Sequence, residues 1–171
     1  ILGDGGMGTE LRLRGVEVPS HVDDIWSALA ITEAPEVIKK IHLDYLEAGS
    51  NYITVNNYAV TQPILARNNI SDQLEDLTLK SIALAKEAVK ESGTNALIAG
   101  SLPPLETSYR ADLILPENQM LDYYYELSEI LENEVDIIIC ETMASSSEAK
   151  CALSTLQQSK AQAWVSWTLH G

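Results

Sequence analysis

Apolar and polar positions alternate along this chain in two recurring ways. Five short runs, at 1–3, 52–58, 96–101, 135–140 and 163–169, are nearly continuous in apolar residues, as buried strands are. The stretch Asp136-Ile-Ile-Ile-Cys140 has no polar alternation, which predicts a parallel strand covered on both faces. Between these runs the apolar residues recur every three or four positions, the spacing of one helix face. Examples are Val37, Ile38, Ile41 and Tyr45, and further on Leu74, Leu77, Leu84 and Ala88. Tyr124, Leu127 and Leu131 follow the same rule, as do Ala149, Ala152 and Leu156. Helices are therefore predicted over 7–14, 35–48, 71–92, 116–133 and 146–158.

Boundary signals agree with this division. Pro35 suits a first helical turn, and Gly15, Gly49 and Gly93 stand where a left-handed residue closes a helix. Serines 145–147 can cap the free amides of the last helix. Strand and helix alternate throughout, which implies a parallel sheet with right-handed crossovers. No linker or low-complexity break interrupts residues 1–171, so one domain is expected. The loops at 16–34, 59–70 and 103–115 are long, and follow the first three strands.

The strand ends carry the polar chemistry. The first run leads into Asp4-Gly5-Gly6-Met7-Gly8-Thr9-Glu10, a turn that exposes backbone and carries a carboxylate. It lacks the lysine and spacing of a phosphate loop, and Asp4 suits an ammonium group better. Asp4 could equally be a helix N-cap. Thr54, Asn56 and Tyr58 share one face of the second strand by the period of two. Glu141 follows four apolar residues, so its carboxylate is expected at the rim of an apolar wall. Asp4 and Glu141 would thus sit at one end of one sheet. Two carboxylates there could serve acid–base chemistry on a glycoside, or hold one substrate ammonium. Trp26, Tyr58 and Tyr109 could wall the same pocket.

Composition narrows the classes. A hydrophobic share of 46% with 21% charged residues fits a globular domain. A net charge of −14 disfavours nucleic acid and anionic membranes as partners. The segment from Glu106 to Asp136 has Arg110 as its one cation, as a solvated acidic helix face would. No apolar run reaches the roughly 18 residues of a membrane-spanning helix. Cys140 and Cys151 make neither a disulfide framework nor a CxxC pair, which fits a reducing cytoplasm. His21, His42 and His170 show no metal-binding spacing; His42 is expected to be a surface or packing residue, and Cys151 a core one.

Several stretches together resemble the homocysteine S-methyltransferases, a family related to betaine–homocysteine methyltransferase and to the homocysteine domain of methionine synthase. They are Asp4-Gly-Gly-Met-Gly-Thr-Glu-Leu11, Trp26-Ser27, His42-Leu-Asp-Tyr-Leu-Glu-Ala-Gly49 and Thr54-Val-Asn-Asn-Tyr-Ala59. Further along come Ala99-Gly-Ser-Leu-Pro-Pro104, Ser108-Tyr-Arg110, Asp136-Ile-Ile-Ile-Cys-Glu-Thr142 and Trp167-Thr168. The resemblance implies a (β/α)₈ barrel, the TIM-barrel fold, of which this chain would hold the first five βα units. It implies that Asp4, Gly5, Gly6 and Glu141 bind the amino-acid part of homocysteine, and that Thr54 and Asn56 line the pocket floor. Trp26 and Tyr58 would lie towards a small methyl donor.

In the family, a zinc ion held by three cysteines binds the substrate sulfur and supplies a thiolate. Those cysteines belong to later strands, so this chain is expected to hold none of the zinc ligands. At 171 residues it is short of a barrel's usual length of about 250. It is expected to be part of a longer protein, inactive alone. An open sheet would expose edge groups and an apolar face, which predicts self-association or poor solubility. The competing expectation is a non-catalytic α/β module that binds an amino acid or mediates assembly.

Overall fold

A computed structural model describes residues 1–18 and 25–169, without the side chain of Trp26. His21 and His170 lie outside the described residues. Four strands form one wholly parallel sheet: β1 (Tyr52–Thr54), β2 (Leu97–Leu102), β3 (Ile137–Met143) and β4 (Gln162–Trp167). Their order in the sheet is their order in the chain. The register pairs Ile53 with Ile98, Gly100 with Ile138, and Cys140 with Val165.

The helices are α1 (Met7–Leu13), α2 (Ala30–Glu33), α3 (Pro35–Glu47), α4 (Gln62–Arg67), α5 (Leu74–Ser92), α6 (Glu117–Leu131) and α7 (Ser146–Ser154). The strand period of two separates the faces of the sheet. Ile98 and Leu102 of β2, with Ile138 and Cys140 of β3, join the main core with the helices. Ala99, Ile137 and Ile139 form a smaller cluster on the opposite face, with Tyr52 and Trp164 against it. The Tyr52 and Trp164 rings meet edge to face at 5.2 Å. Gly100 sets how closely α6 approaches β2, since a Cβ there would lie 2.7 Å from Leu131 Cδ2.

Pro35 opens α3, and Gly93 closes α5 at φ +67°. Gly15 and Gly49 are likewise left-handed. Three details depart from the sequence pattern. Residues 71–73 form a 3₁₀ turn before α5. The N-cap of α7, Ser145, makes no capping bond, because its hydroxyl pairs with that of Ser147 at 2.8 Å. α7 stops at Ser154 rather than 158, where the hydroxyls of Ser154 and Thr155 bond the carbonyls of Cys151 and Ala152 and compete with the helical ladder.

The larger correction concerns the first predicted strand. Residues 1–3 run beside β1 but form no strand, so among the described residues the sheet has four strands where the sequence pattern has five. One backbone bond remains there, and side chains take the other places. The Asn51 amide donates to the Leu2 carbonyl at 2.7 Å, while the Leu2 amide is taken by the Asn51 side-chain oxygen at 2.9 Å. The Ser50 hydroxyl bonds the Gly3 carbonyl at 3.3 Å. Among the described residues, no helix is long and apolar enough to cross a membrane.

Candidate functional site

The C-terminal ends of the strands and the Asp4-Gly5-Gly6 turn surround a cavity of about 560 Å³. Asp4, Gly5, Gly6, Thr54, Asn56, Tyr58 and Glu141 all line it, as do Tyr109, Thr142 and Ser166. These residues run from Asp4 to Ser166 in the chain, and the parallel topology brings them to one end. Trp26 begins a 3₁₀ turn, and its side chain lies outside the described residues.

Asp4 is not the N-cap of α1. That position is Gly6, and the turn has no side-chain cap. Instead the Asp4 carboxylate crosses to β1. Its Oδ2 accepts the Thr54 amide at 2.7 Å, and its Oδ1 accepts the Thr54 hydroxyl at 3.1 Å. Burial nonetheless pushes Asp4 up to about 6, because these bonds offset only part of the lost hydration. Burial also raises Glu141, and the negative charge of Asp4 adds to the shift. The nearby Ser101 hydroxyl lowers it again in part, without a well-aligned hydrogen bond. Among the described residues, no lysine, arginine or histidine lines the cavity. Two carboxylates therefore share a partly dehydrated cavity with no cation among its described lining residues, a state that favours a cationic guest.

β1 ends at Thr54, four residues before its predicted end, yet Asn56 and Tyr58 still reach the cavity. The Asn57 amide turns back to the Val55 carbonyl at 2.8 Å. Asn56, 3% exposed, donates its side-chain amide to the Ser27 carbonyl at 2.8 Å, so it also ties down the segment after Ile25. Asn57 was not distinguished by its sequence context. It bonds both backbone groups of Ser101, at 2.9 and 3.0 Å, and so continues the β1–β2 ladder with a side chain. Tyr58 shares a hydrogen bond of 2.7 Å with Ser108, and burial raises its phenol.

Glu148 is the other residue that the sequence pattern hid. It reads as an ordinary acidic residue in a first helical turn, but is 4% exposed. Its Oε1 accepts the Leu105 amide at 3.0 Å and the Tyr124 hydroxyl at 3.2 Å. Tyr124 also donates to the Pro103 carbonyl at 2.9 Å. This buried clamp fixes the start of the loop that delivers Ser108 and Tyr109. Tyr109 is 61% exposed at the rim and left-handed, at φ +66°, so it is no core residue.

The donor set for a metal is poor. Among the described residues, no three His, Cys, Asp or Glu side chains are grouped to hold a metal ion. Cys140 and Cys151 are free and buried, and burial pushes the Cys140 thiol up to about 12. His42 is a core residue: fully buried, lowered to about 4, with no hydrogen-bond partner on either ring nitrogen.

Known proteins with the same pattern were found at every level. The family model described as homocysteine S-methyltransferase matches residues 1–171. Homocysteine S-methyltransferase 1 of Arabidopsis thaliana is 32% identical over 192 aligned positions, covering 96% of this chain and 57% of its own length. Homocysteine S-methyltransferase of Escherichia coli K12 is 31% identical, covering 99% of this chain and 58% of its own. Among solved structures, the homocysteine methyltransferase MmuM of E. coli in its oxidised form superposes with a TM-score of 0.88 at 30% identity, over 99% of this chain and 62% of that one. Its metallated form gives 0.85 at 29% identity, covering 99% and 64%. The chain thus spans less than two thirds of the length of these relatives.

Proposed function

The chain belongs to the homocysteine S-methyltransferase family, and from that we propose that it forms the homocysteine-binding part of such an enzyme. One observation carries this reading: Asp4 and Glu141 are two carboxylates in one cavity, and among the described residues its lining holds no basic side chain. An amino-acid ammonium entering between them would replace the missing cation and favour both ionised forms. The Asp4 carboxylate is already oriented by Thr54, so little ordering is left for the moment of binding. Gly5 and Gly6 leave the backbone beside it uncovered. Tyr58 and Tyr109 lie on the Ser108 side of the cavity, where a small methyl donor would approach. A scaffold or assembly module has no use for two unpaired carboxylates in a cavity, so that alternative is not favoured.

The barrel belongs to the same proposal. Parallel strands in chain order, and a cavity at their C-terminal ends, are the arrangement of a (β/α)₈ barrel. β1 and β4 are the edges at which such a barrel would continue. The zinc ion that the resemblance implies finds no ligand set among the described residues. Its ligands would belong to the part of the family's length that this chain does not span. The methyl transfer itself is proposed for the whole protein, with homocysteine as acceptor.

The test is calorimetric titration of the chain with homocysteine and with N-acetylhomocysteine, which lacks the ammonium. Binding of the first, loss of the second, and weakening by Glu141→Ala support the site. Equal affinity for both compounds would overturn it, as would no binding of homocysteine at millimolar concentration.

A further inference from the structure

An α-amino acid carries its carboxylate on the same carbon as its ammonium. A guest whose ammonium lies between Asp4 and Glu141 therefore brings a third anion beside those two. Among the described residues no basic side chain lines the cavity to meet it, so a neutral donor has to. Most side-chain donors of the lining are committed. The Thr54 hydroxyl donates to Asp4, and the Asn56 amide to Ser27. Tyr58 and Ser108 share a hydrogen bond. The Ser166 hydroxyl accepts the Thr142 amide at 3.1 Å, across a β-bulge in which Glu141 and Thr142 together oppose Ser166. Tyr109 stands at the exposed rim.

Tyr52 is different. It lines the cavity, yet among the described residues its hydroxyl makes no hydrogen bond. It precedes Thr54 by two on β1, so it shares the face of the hydroxyl that holds Asp4, one layer deeper. Its ring is fixed from both sides. It meets Trp164 edge to face at 5.2 Å and packs on Ala99, Ile137 and Ile139. At its far end it lies across Gly3, where a Cβ would collide with the phenol oxygen and lie 2.6 Å from Tyr52 Cζ. The hydroxyl is thereby set beside the residue that precedes Asp4. Burial, and then the charges of Asp4 and Glu141, raise this phenol above its ordinary value of 10, so it keeps its proton at neutral pH.

We propose that Tyr52 is a ligand-binding residue: its hydroxyl donates to the carboxylate of the bound amino acid and makes the site prefer an α-amino acid to a simple amine. This rests on the ammonium site proposed above.

The parent chain and Tyr52→Phe are each titrated with homocysteine and with 3-aminopropane-1-thiol, the same molecule without its carboxylate. Phenylalanine keeps the ring against Trp164 and removes the donor alone. Homocysteine affinity is expected to fall about tenfold in Tyr52→Phe, the loss of one hydrogen bond to a charged group, while affinity for the aminothiol stays within about twofold. Undiminished homocysteine binding by Tyr52→Phe would overturn the proposal. So would equal weakening for both compounds, which is what a merely loosened cavity gives. N-acetylhomocysteine, titrated alongside, separates the two readings. If the parent binds it as tightly as homocysteine, or binds no homocysteine at all, the ammonium site fails and the role of Tyr52 with it. If the parent discriminates against it and Tyr52→Phe binds homocysteine like the parent, only the role of Tyr52 fails.

Discussion

The carboxylate of Asp4 acts as a strand carbonyl for Thr54, accepting its amide at 2.7 Å and its hydroxyl at 3.1 Å. An Asn side chain can keep both contacts, with its oxygen on the amide and its nitrogen donating to the hydroxyl. Asp4→Asn therefore removes charge while preserving shape. Homocysteine affinity is expected to fall by about 10- to 100-fold, the worth of a hydrogen bond to a charged group at about 1.5–3 kcal/mol. Circular dichroism should show an unchanged fold. Undiminished binding in calorimetry would remove Asp4 from the site.

The same residue sets a pH dependence. Burial raises Asp4 from its ordinary value of 3.8 to about 6, and Glu141 shifts in the same direction. Between about 4 and 6 the folded chain therefore holds more protons than the unfolded one, and stability falls as pH rises. This contribution is fully present below about 4 and lost as pH passes through about 6. Asp44 and Asp112 are lowered by their basic neighbours and oppose the trend, so the parent is compared with Asp4→Asn. Urea unfolding at pH 4.5 and 7 should show a more negative slope in the parent. Homocysteine affinity should move the other way, rising with pH across this window as the carboxylates ionise.

Glu148 holds the loop that carries Ser108. Replacing it with Ala leaves the Leu105 amide and the Tyr124 hydroxyl without their shared acceptor in a buried setting. A loss of about 1–3 kcal/mol is expected in urea denaturation, for the Leu105 amide left unsatisfied, since Tyr124 keeps the Pro103 carbonyl. Glu148→Gln keeps an acceptor oxygen and should lose less. Equal losses in the two variants would show that the carboxylate charge, not the acceptor, matters.

Gly100 lies under Leu131, and a Cβ there would come within 2.7 Å of Leu131 Cδ2. Gly100→Ala is expected to cost about 1–3 kcal/mol through overpacking. Combining it with Leu131→Ala should cost less than the two single losses added together, since the second change makes room for the first. Strict additivity would mean that α6 simply moves away.

Strand–helix alternation was legible because burial imposes a period on each element. The runs at 96–101 and 135–140, and the stripe through Leu74, Leu77 and Ala88, correspond to β2, β3 and α5 within a few residues. The Asp4-Gly-Gly turn and the carboxylate after Ile139 were legible as polar groups placed where a strand ends. The run at 1–3 misled, because apolar character says nothing about whether a ladder partner is a backbone or a side chain. Here Asn51, Ser50 and Asp4 supply the partners.

The sequence by itself determined the parallel α/β architecture, the family, and the residue types available to the cavity. These follow from local periodicity and from short motifs, both carried by neighbours in the chain. Only the tertiary structure decided that Asp4 is bound to Thr54 rather than capping α1. It also decided that no cation among the described residues lines the cavity with the two carboxylates, that Glu148 is a buried clamp, and that Thr142 turns into the cavity through a bulge. Those facts depend on dehydration and on contacts between residues about 25 to 137 positions apart, which no local pattern encodes.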